Sequence, residues 1–120
     1  MKPSKERFAT AAEHFISEMK GWSILKRKSY GYDFIAFDEK KKRLHFIELY
    51  GAVSNEGEVS FPEENIDLSK EGRAAFEKAA LSFIAQQGEN LPSCMFFLST
   101  ISVVQIDDNK AAIRIHDVEF

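Results

Sequence analysis

The chain is short of the residues that staple a fold or anchor it in a membrane. It has one cysteine, Cys94, in 120 residues, so no disulfide can close within the chain, as expected of a protein in the reducing cytoplasm. No apolar run approaches the roughly 20 residues that cross a bilayer as a helix. The opening MKPSKERF lacks the apolar core of a signal peptide, so no membrane partner is expected. The three histidines, His14, His45 and His116, are scattered without the spacing of a zinc site. There is no glycine-rich phosphate loop. Ser99 and Ser102 have no histidine and aspartate partners by motif, which sets nucleophilic catalysis aside. A net charge of −3 counts against tight non-specific binding to nucleic acid, which usually goes with a basic surface. Internal repeats, low-complexity tracts and interdomain linkers are missing too, which leaves a single domain over residues 1–120.

What is present is a core. Hydrophobic residues make up 44% of the chain and eleven residues are phenylalanine, enough to build an aromatic interior without disulfide or metal. Phe8, Ala11, Ala12, Phe15, Ile16 and Met19 recur at helical spacing, which predicts a helix over about Lys5 to Lys20, with Ser4 as N-cap and Gly21 as stop. Strands are predicted at Trp22–Lys28, Tyr32–Asp38 and Arg43–Tyr50. The stretch Gly51–Asp67 has glycine, proline and acidic residues but little periodicity, and reads as a long loop or flap. A second helix is predicted from about Leu68 to Gln87, with Phe76, Ala79, Ala80, Phe83 and Ile84 as its apolar stripe. Strands then follow at Cys94–Ser99, Ser102–Ile106 and Ala111–His116, and Cys94 is expected to be a buried, inert thiol. The expected class is α/β, a central mixed sheet between helices in the order αβββαβββ.

The chemistry is concentrated in GYDFIAFDEKKKRLHFIELYG, Gly31 to Gly51. Two carboxylates, Asp33 and Glu48, stand in strands otherwise built of apolar residues. Side chains alternate along a strand, so Asp33 is expected on the face of Ile35 and Phe37, and Glu48 on the face of Phe46 and Tyr50. A hairpin would bring the two acids together at one end of the sheet, as a hard-oxygen site suited to Mg²⁺ or Mn²⁺. Such an ion polarises a phosphodiester and acidifies an attacking water. A lysine two residues after the glutamate would complete that logic by steadying developing charge, but Tyr50 is there instead. Partly exposed acids paired with lysines or backbone donors are the plainer account of the same residues.

The order of elements, with GWSIL (Gly21–Leu25), GYDFIA (Gly31–Ala36), HFIELY (His45–Tyr50), LSKEGRAAFEKAALSFI (Leu68–Ile84) and IRIHDVEF (Ile113–Phe120), resembles the YraN-like family of small bacterial proteins over nearly the whole chain. The corresponding family elements are G-Y-x-I-L, G-E-I-D-L-I-A and V-F-V-E-V-K, then a helix with an internal A-A and a short final strand. The resemblance implies a restriction-endonuclease-like (PD-(D/E)XK) three-layer α/β/α fold. It also implies that Asp33 and Glu48 are metal ligands in a metal-dependent endonuclease acting on DNA, branched forms included. The chain departs from the pattern at Tyr50, where the family has Lys or Arg, and at Tyr32, where it has Glu. Glu13 is off by part of a turn from the family's helix acid.

Lys26, Lys28, Lys70 and Arg73 are the bases that would replace the missing cation by reaching across; solvated surface charge is their plainer role. The runs Lys26–Arg27–Lys28 and Lys40–Lys41–Lys42–Arg43 are candidate phosphate contacts. Glu56, Glu58, Glu63, Glu64 and Asp67 make the 51–67 loop acidic, so that over the site it would repel phosphate or dock a basic protein partner. The reading is a nuclease-family protein with a degenerate site at Tyr50. The alternative is an inactive nuclease-fold module working through protein–protein contact.

Overall fold

Two helices cover opposite faces of one five-stranded sheet, in a computed structural model that describes residues 5–120, with Lys5 by its backbone only. The predicted cap Ser4 lies outside the described residues. Helix α1 (Lys5–His14) runs into a π-helical turn, Phe15–Met19, closed by the Lys20 N–H donating to the Phe15 carbonyl at 2.9 Å. Ala12 and Ile16 are fully buried as the periodicity requires, but the wider turn rotates Met19 off the apolar stripe and leaves it 70% exposed. Gly21 then takes a φ of +69°, which stops the helix and sends the chain into the sheet.

Strands β1 (Ser23–Ser29), β2 (Tyr32–Asp38) and β3 (Arg43–Val53) form an antiparallel meander. Helix α2 (Lys70–Gln87) carries the chain across the sheet, so that β4 (Met95–Gln105) pairs with β3 in parallel, as such a crossover allows. Strand β5 (Ala111–Asp117) returns antiparallel to β4, and the strand order equals the sequence order. The Ser69 hydroxyl caps α2 by accepting from the Gly72 N–H at 3.1 Å. Gly72 is required there because a Cβ would lie 2.1 Å from the Asp67 carbonyl oxygen.

The two strands expected at Cys94–Ser99 and Ser102–Ile106 are one strand. Thr100 and Ile101 do not interrupt it, because both are good strand residues and both are fully buried in a two-sided central position. Cys94 sits just before this strand, partly buried beside the α2-side core, and burial raises its thiol pKa.

Alternation along the central strands builds two cores. On the α2 side, Ile35, Phe37, Leu44, Phe46 and Leu98 pack against Phe76, Ala80 and Phe83. On the α1 side, Phe34, Ala36, Ile47, Ile101 and Val103 pack against Ala12 and Ile16. The Phe46 ring meets Phe76 and Phe83 edge-on, with centroids 5.7 and 5.8 Å away. Helix α1 comes close enough to β3 for the Phe8 ring to lie on Gly51, where a Cβ would be 2.2 Å from it. Phe46→Ala should therefore cost about 3–5 kcal/mol of stability in urea unfolding, the range for emptying a buried phenylalanine site. Gly51→Ala should also destabilise, because Phe8 must give way, and Phe8→Ala introduced with it should recover part of that loss.

Candidate functional site

The β2–β3 hairpin brings Asp33 and Glu48 to the same end of the sheet without placing them on one face. The β2–β3 ladder begins only at Phe34 opposite Ile47. Ahead of it, Tyr30 and Gly31 turn through positive φ (58° and 84°), and regular alternation is lost. The Tyr32 ring packs on Phe46 and Phe76 on the α2 side. Asp33 instead lines a groove of about 340 Å³ on the α1 side with Glu13, Arg27, Lys28 and Leu49, away from the face of Ile35 and Phe37. Its Oδ2 accepts the Leu49 N–H at 2.8 Å, so the side chain takes up a backbone donor of β3.

Glu48 lies on the α2 side, in a cavity of about 380 Å³ shared with Tyr32, Asp67, Gly72 and Ala75. The Tyr50 hydroxyl donates to its Oε2 at 3.0 Å. Burial raises the Glu48 pKa, and the charges of Asp33 and Glu64 push it the same way, against the Tyr50 hydrogen bond. The two acids thus repel through space while opening into different cavities. Tyr50 is pushed up to about 12, first by burial and then by its hydrogen bond to Glu48 and that carboxylate's charge. It is a neutral donor at pH 7.

The candidate replacement bases separate. Lys28 lines the groove of Asp33. Arg27, beside it, is ion-paired with Glu13. Lys26 is exposed on β1, and Lys70 is exposed at the first residue of α2 and is not among the residues that line the Glu48 cavity. Arg73 is committed to Glu77, Nε to Oε1 at 2.8 Å.

The sheet register reveals a patch that sequence reasoning missed. Glu48 pairs with Thr100, which pairs with His116; Tyr50 pairs with Ser102, which pairs with Arg114. These two cross-strand rows lie on the α2 side of the sheet, and the 54–69 segment forms a strap over them. Glu64 on the strap receives His116 Nε2 at 2.5 and 2.8 Å from its two oxygens. Phe61 on the strap lies under the Arg114 guanidinium, 4.5 Å from the ring centroid. Thr100 and Ser102 are fully buried, and their hydroxyls find no well-formed hydrogen-bond partner among the described residues. Thr100 lies beside Glu64 and lowers its pKa, although it does not meet strict hydrogen-bond geometry. The signal was present in the sequence as Thr100 and Ser102 alternating with Ile101 and Val103, but two strands broken at that point hid it.

A third cluster corrects the expectation that Ser99 lacks partners. His45 is 3% exposed, stacked on Trp22 at 4.1 Å between ring centroids. Its Nδ1 is 2.8 Å from Ser99 Oγ, and Ser99 Oγ donates to Asp117 Oδ1 at 2.8 Å. With its proton directed at Asp117, the serine oxygen accepts from His45 Nδ1–H. A catalytic serine would donate to the histidine instead, so this relay fixes a tautomer and does not activate a nucleophile. Burial lowers the His45 pKa against the pull of Asp117 and Asp38.

Compared with known proteins, the sequence matches no family model, and no curated protein and no solved structure matches it.

The clasp between strap and sheet sets a pH dependence. The hydrogen bond that His116 donates to Glu64 holds the His116 pKa above the ordinary imidazole value, so its contribution is complete below that value and is lost as pH rises through the raised one. Burial raises the Glu64 pKa, but Thr100, His116 and Arg114 outweigh it and leave it lowered; its contribution is complete above the ordinary carboxylate value and is lost as pH falls through the lowered one. Strap amides should be best protected from hydrogen exchange between those ordinary values, 4.5 and 6.5. His116→Ala should abolish the loss on the alkaline side.

Proposed function

We propose that the chain is a restriction-endonuclease-like domain that binds nucleic acid without hydrolysing it. Support for the scaffold is the antiparallel β1–β3 meander, the α2 crossover to a parallel β4, and α1 on the opposite face, together with the resemblance carried by GWSIL, GYDFIA and HFIELY. The observation that carries the functional half is the hydrogen bond from Tyr50 to Glu48, at the position where the resemblance calls for a cation. A tyrosine with its pKa near 12 supplies a neutral hydrogen bond and no fixed positive charge.

On this reading Asp33 and Glu48 do not serve a hydrolytic metal centre. One oxygen of Glu48 is engaged by Tyr50, and one of Asp33 by the Leu49 N–H. The two acids open into different cavities. What remains of the acidic pair braces the hairpin end. The exposed basic runs, Lys26–Arg27–Lys28 on β1 and Lys40–Lys41–Lys42 in the β2–β3 turn, are the surfaces for a phosphate backbone.

One observation favours a second reading, a Mg²⁺- or Mn²⁺-dependent nuclease: the charge of Asp33 raises the proton affinity of Glu48, and a divalent cation would relieve that repulsion. Lys28, in the groove of Asp33, would then be the displaced cation. Calorimetric titration of Mn²⁺ into the wild type and Glu48→Gln, beside gel-shift and cleavage assays on single-stranded, flapped and branched DNA, separates the two. The expected result is retained DNA, no cleavage and no heat that depends on Glu48. Mn²⁺ binding lost in Glu48→Gln, with cleavage lost in Lys28→Ala, would replace the binding reading with the nuclease one. Retention of a protein partner and no DNA would replace both.

A further inference from the structure

The polar patch under the strap has the composition of an anion site, and an anion is already on it. The Glu64 carboxylate is held by His116 at both oxygens, with Thr100 beside it and the positive charge of Arg114 acting on it. Every one of these sheet groups comes from β4 or β5 and stands on one face by register. The strap brings the carboxylate from 52 residues away in sequence, so the contact is tertiary and not a local turn.

A second, independent observation is the pair of buried hydroxyls. Thr100 and Ser102 are at 0% exposure on the covered face; the Thr100 hydroxyl lies beside Glu64 without a well-formed hydrogen bond, and Ser102 Oγ finds no partner among the described residues. Buried hydroxyls without partners are uncommon and costly. A carboxylate has two oxygens in one plane, and both Glu64 oxygens face the single His116 Nε2–H. A tetrahedral oxyanion offers additional acceptor oxygens in other directions, toward hydroxyl donors and a guanidinium.

We propose that Thr100, Ser102, Arg114 and His116 form an oxyanion site for a phosphate group, and that the strap fills this site in cis with the Glu64 carboxylate. The strap is thereby a displaceable cover, released when a phosphate takes the place of Glu64. Phe61 on the Arg114 guanidinium is the second fastening to give way. Glu48 stands in the same row as Thr100 and His116, and its charge confines the anion to the β4–β5 side. The inference rests on the nucleic-acid reading only for the source of the phosphate.

The test is titration of inorganic phosphate into the full chain, read by the His116 imidazole proton resonances. Removing the internal competitor's charge with Glu64→Gln should tighten phosphate binding by about tenfold, because apparent affinity is reduced by the fraction of molecules whose site is already filled. Adding Arg114→Ala to Glu64→Gln should remove that gain. Ser102→Ala added to Glu64→Gln should weaken binding about tenfold or more, as loss of one hydrogen bond to a charged group does, while leaving the fold intact. A Glu64→Gln affinity within about twofold of the wild type, about 0.4 kcal/mol, would overturn the site, as would a gain that survives Arg114→Ala. A short single-stranded oligonucleotide runs in parallel. Gain for phosphate and for the oligonucleotide is the expected result. Gain for phosphate alone keeps the site and overturns the nucleic-acid source.

Discussion

Parallel pairing of β3 with β4 is the contact on which the rest of the molecule depends. It runs without a break from Arg43 opposite Met95 to Val53 opposite Gln105. Among the described residues it is the one parallel pairing, and it joins segments separated by α2 and the strap. Parallel strands cannot be joined by a tight turn, so a crossover must be ordered for the pairing to form, and its loop-closure entropy must be offset by burial. Phe46 and Leu98 on one face, and Ile47 and Ile101 on the other, supply that burial, each face closed by its own helix.

The same pairing creates the polar patch. Register, and not proximity in sequence, sets Glu48 beside Thr100 and Tyr50 beside Ser102, and β5 extends both rows to His116 and Arg114. A sheet face whose half nearest α2 is aromatic and whose other half is polar cannot be covered by one helix. The helix takes the aromatic half. A strap with its own anchors, Phe61 and Glu64, takes the polar half. The acidic character of the 51–67 segment, which in isolation suggests repulsion of phosphate, gains a specific use for one residue: Glu64 neutralises His116 on the sheet.

The exchange of a lysine for Tyr50 has consequences on the proposed reading that reach past one side chain. A cation beside Glu48 would lower that carboxylate's proton affinity; Tyr50 does so only through a hydrogen bond, and burial with the charges of Asp33 and Glu64 prevails. Negative charge therefore gathers around Glu48, while Arg114 and His116 stand two strands away on β5. On the proposed reading, anion recognition at Arg114 and His116 is separated in space from the acidic pair, in which Asp33 accepts the Leu49 N–H and braces the hairpin end.

Periodicity along the chain was enough to place both helices and every strand except β4, which it split at Thr100 and Ile101, because helical and strand periodicities are local properties of the chain. The stripe Phe76, Ala80, Phe83 and the alternation through Phe34 to Phe37 report which face will be buried whatever the partner. The sequence also determined that Asp33 and Glu48 arrive at one end of the sheet, since a hairpin pairs neighbours in sequence. Alternation placed Glu48 correctly with Phe46 and Tyr50, but the face of Asp33 emerged only on folding, because alternation breaks at Tyr32 and Asp33, ahead of the first β2–β3 pair. The tertiary structure alone decided that Ser99 serves a buried histidine, that Met19 swings outward on a π turn, and that Glu64 lies on His116. Each of these depends on contacts between residues distant in sequence or on a local backbone distortion. A hydrophobicity pattern encodes burial but not the identity of the partner across the contact.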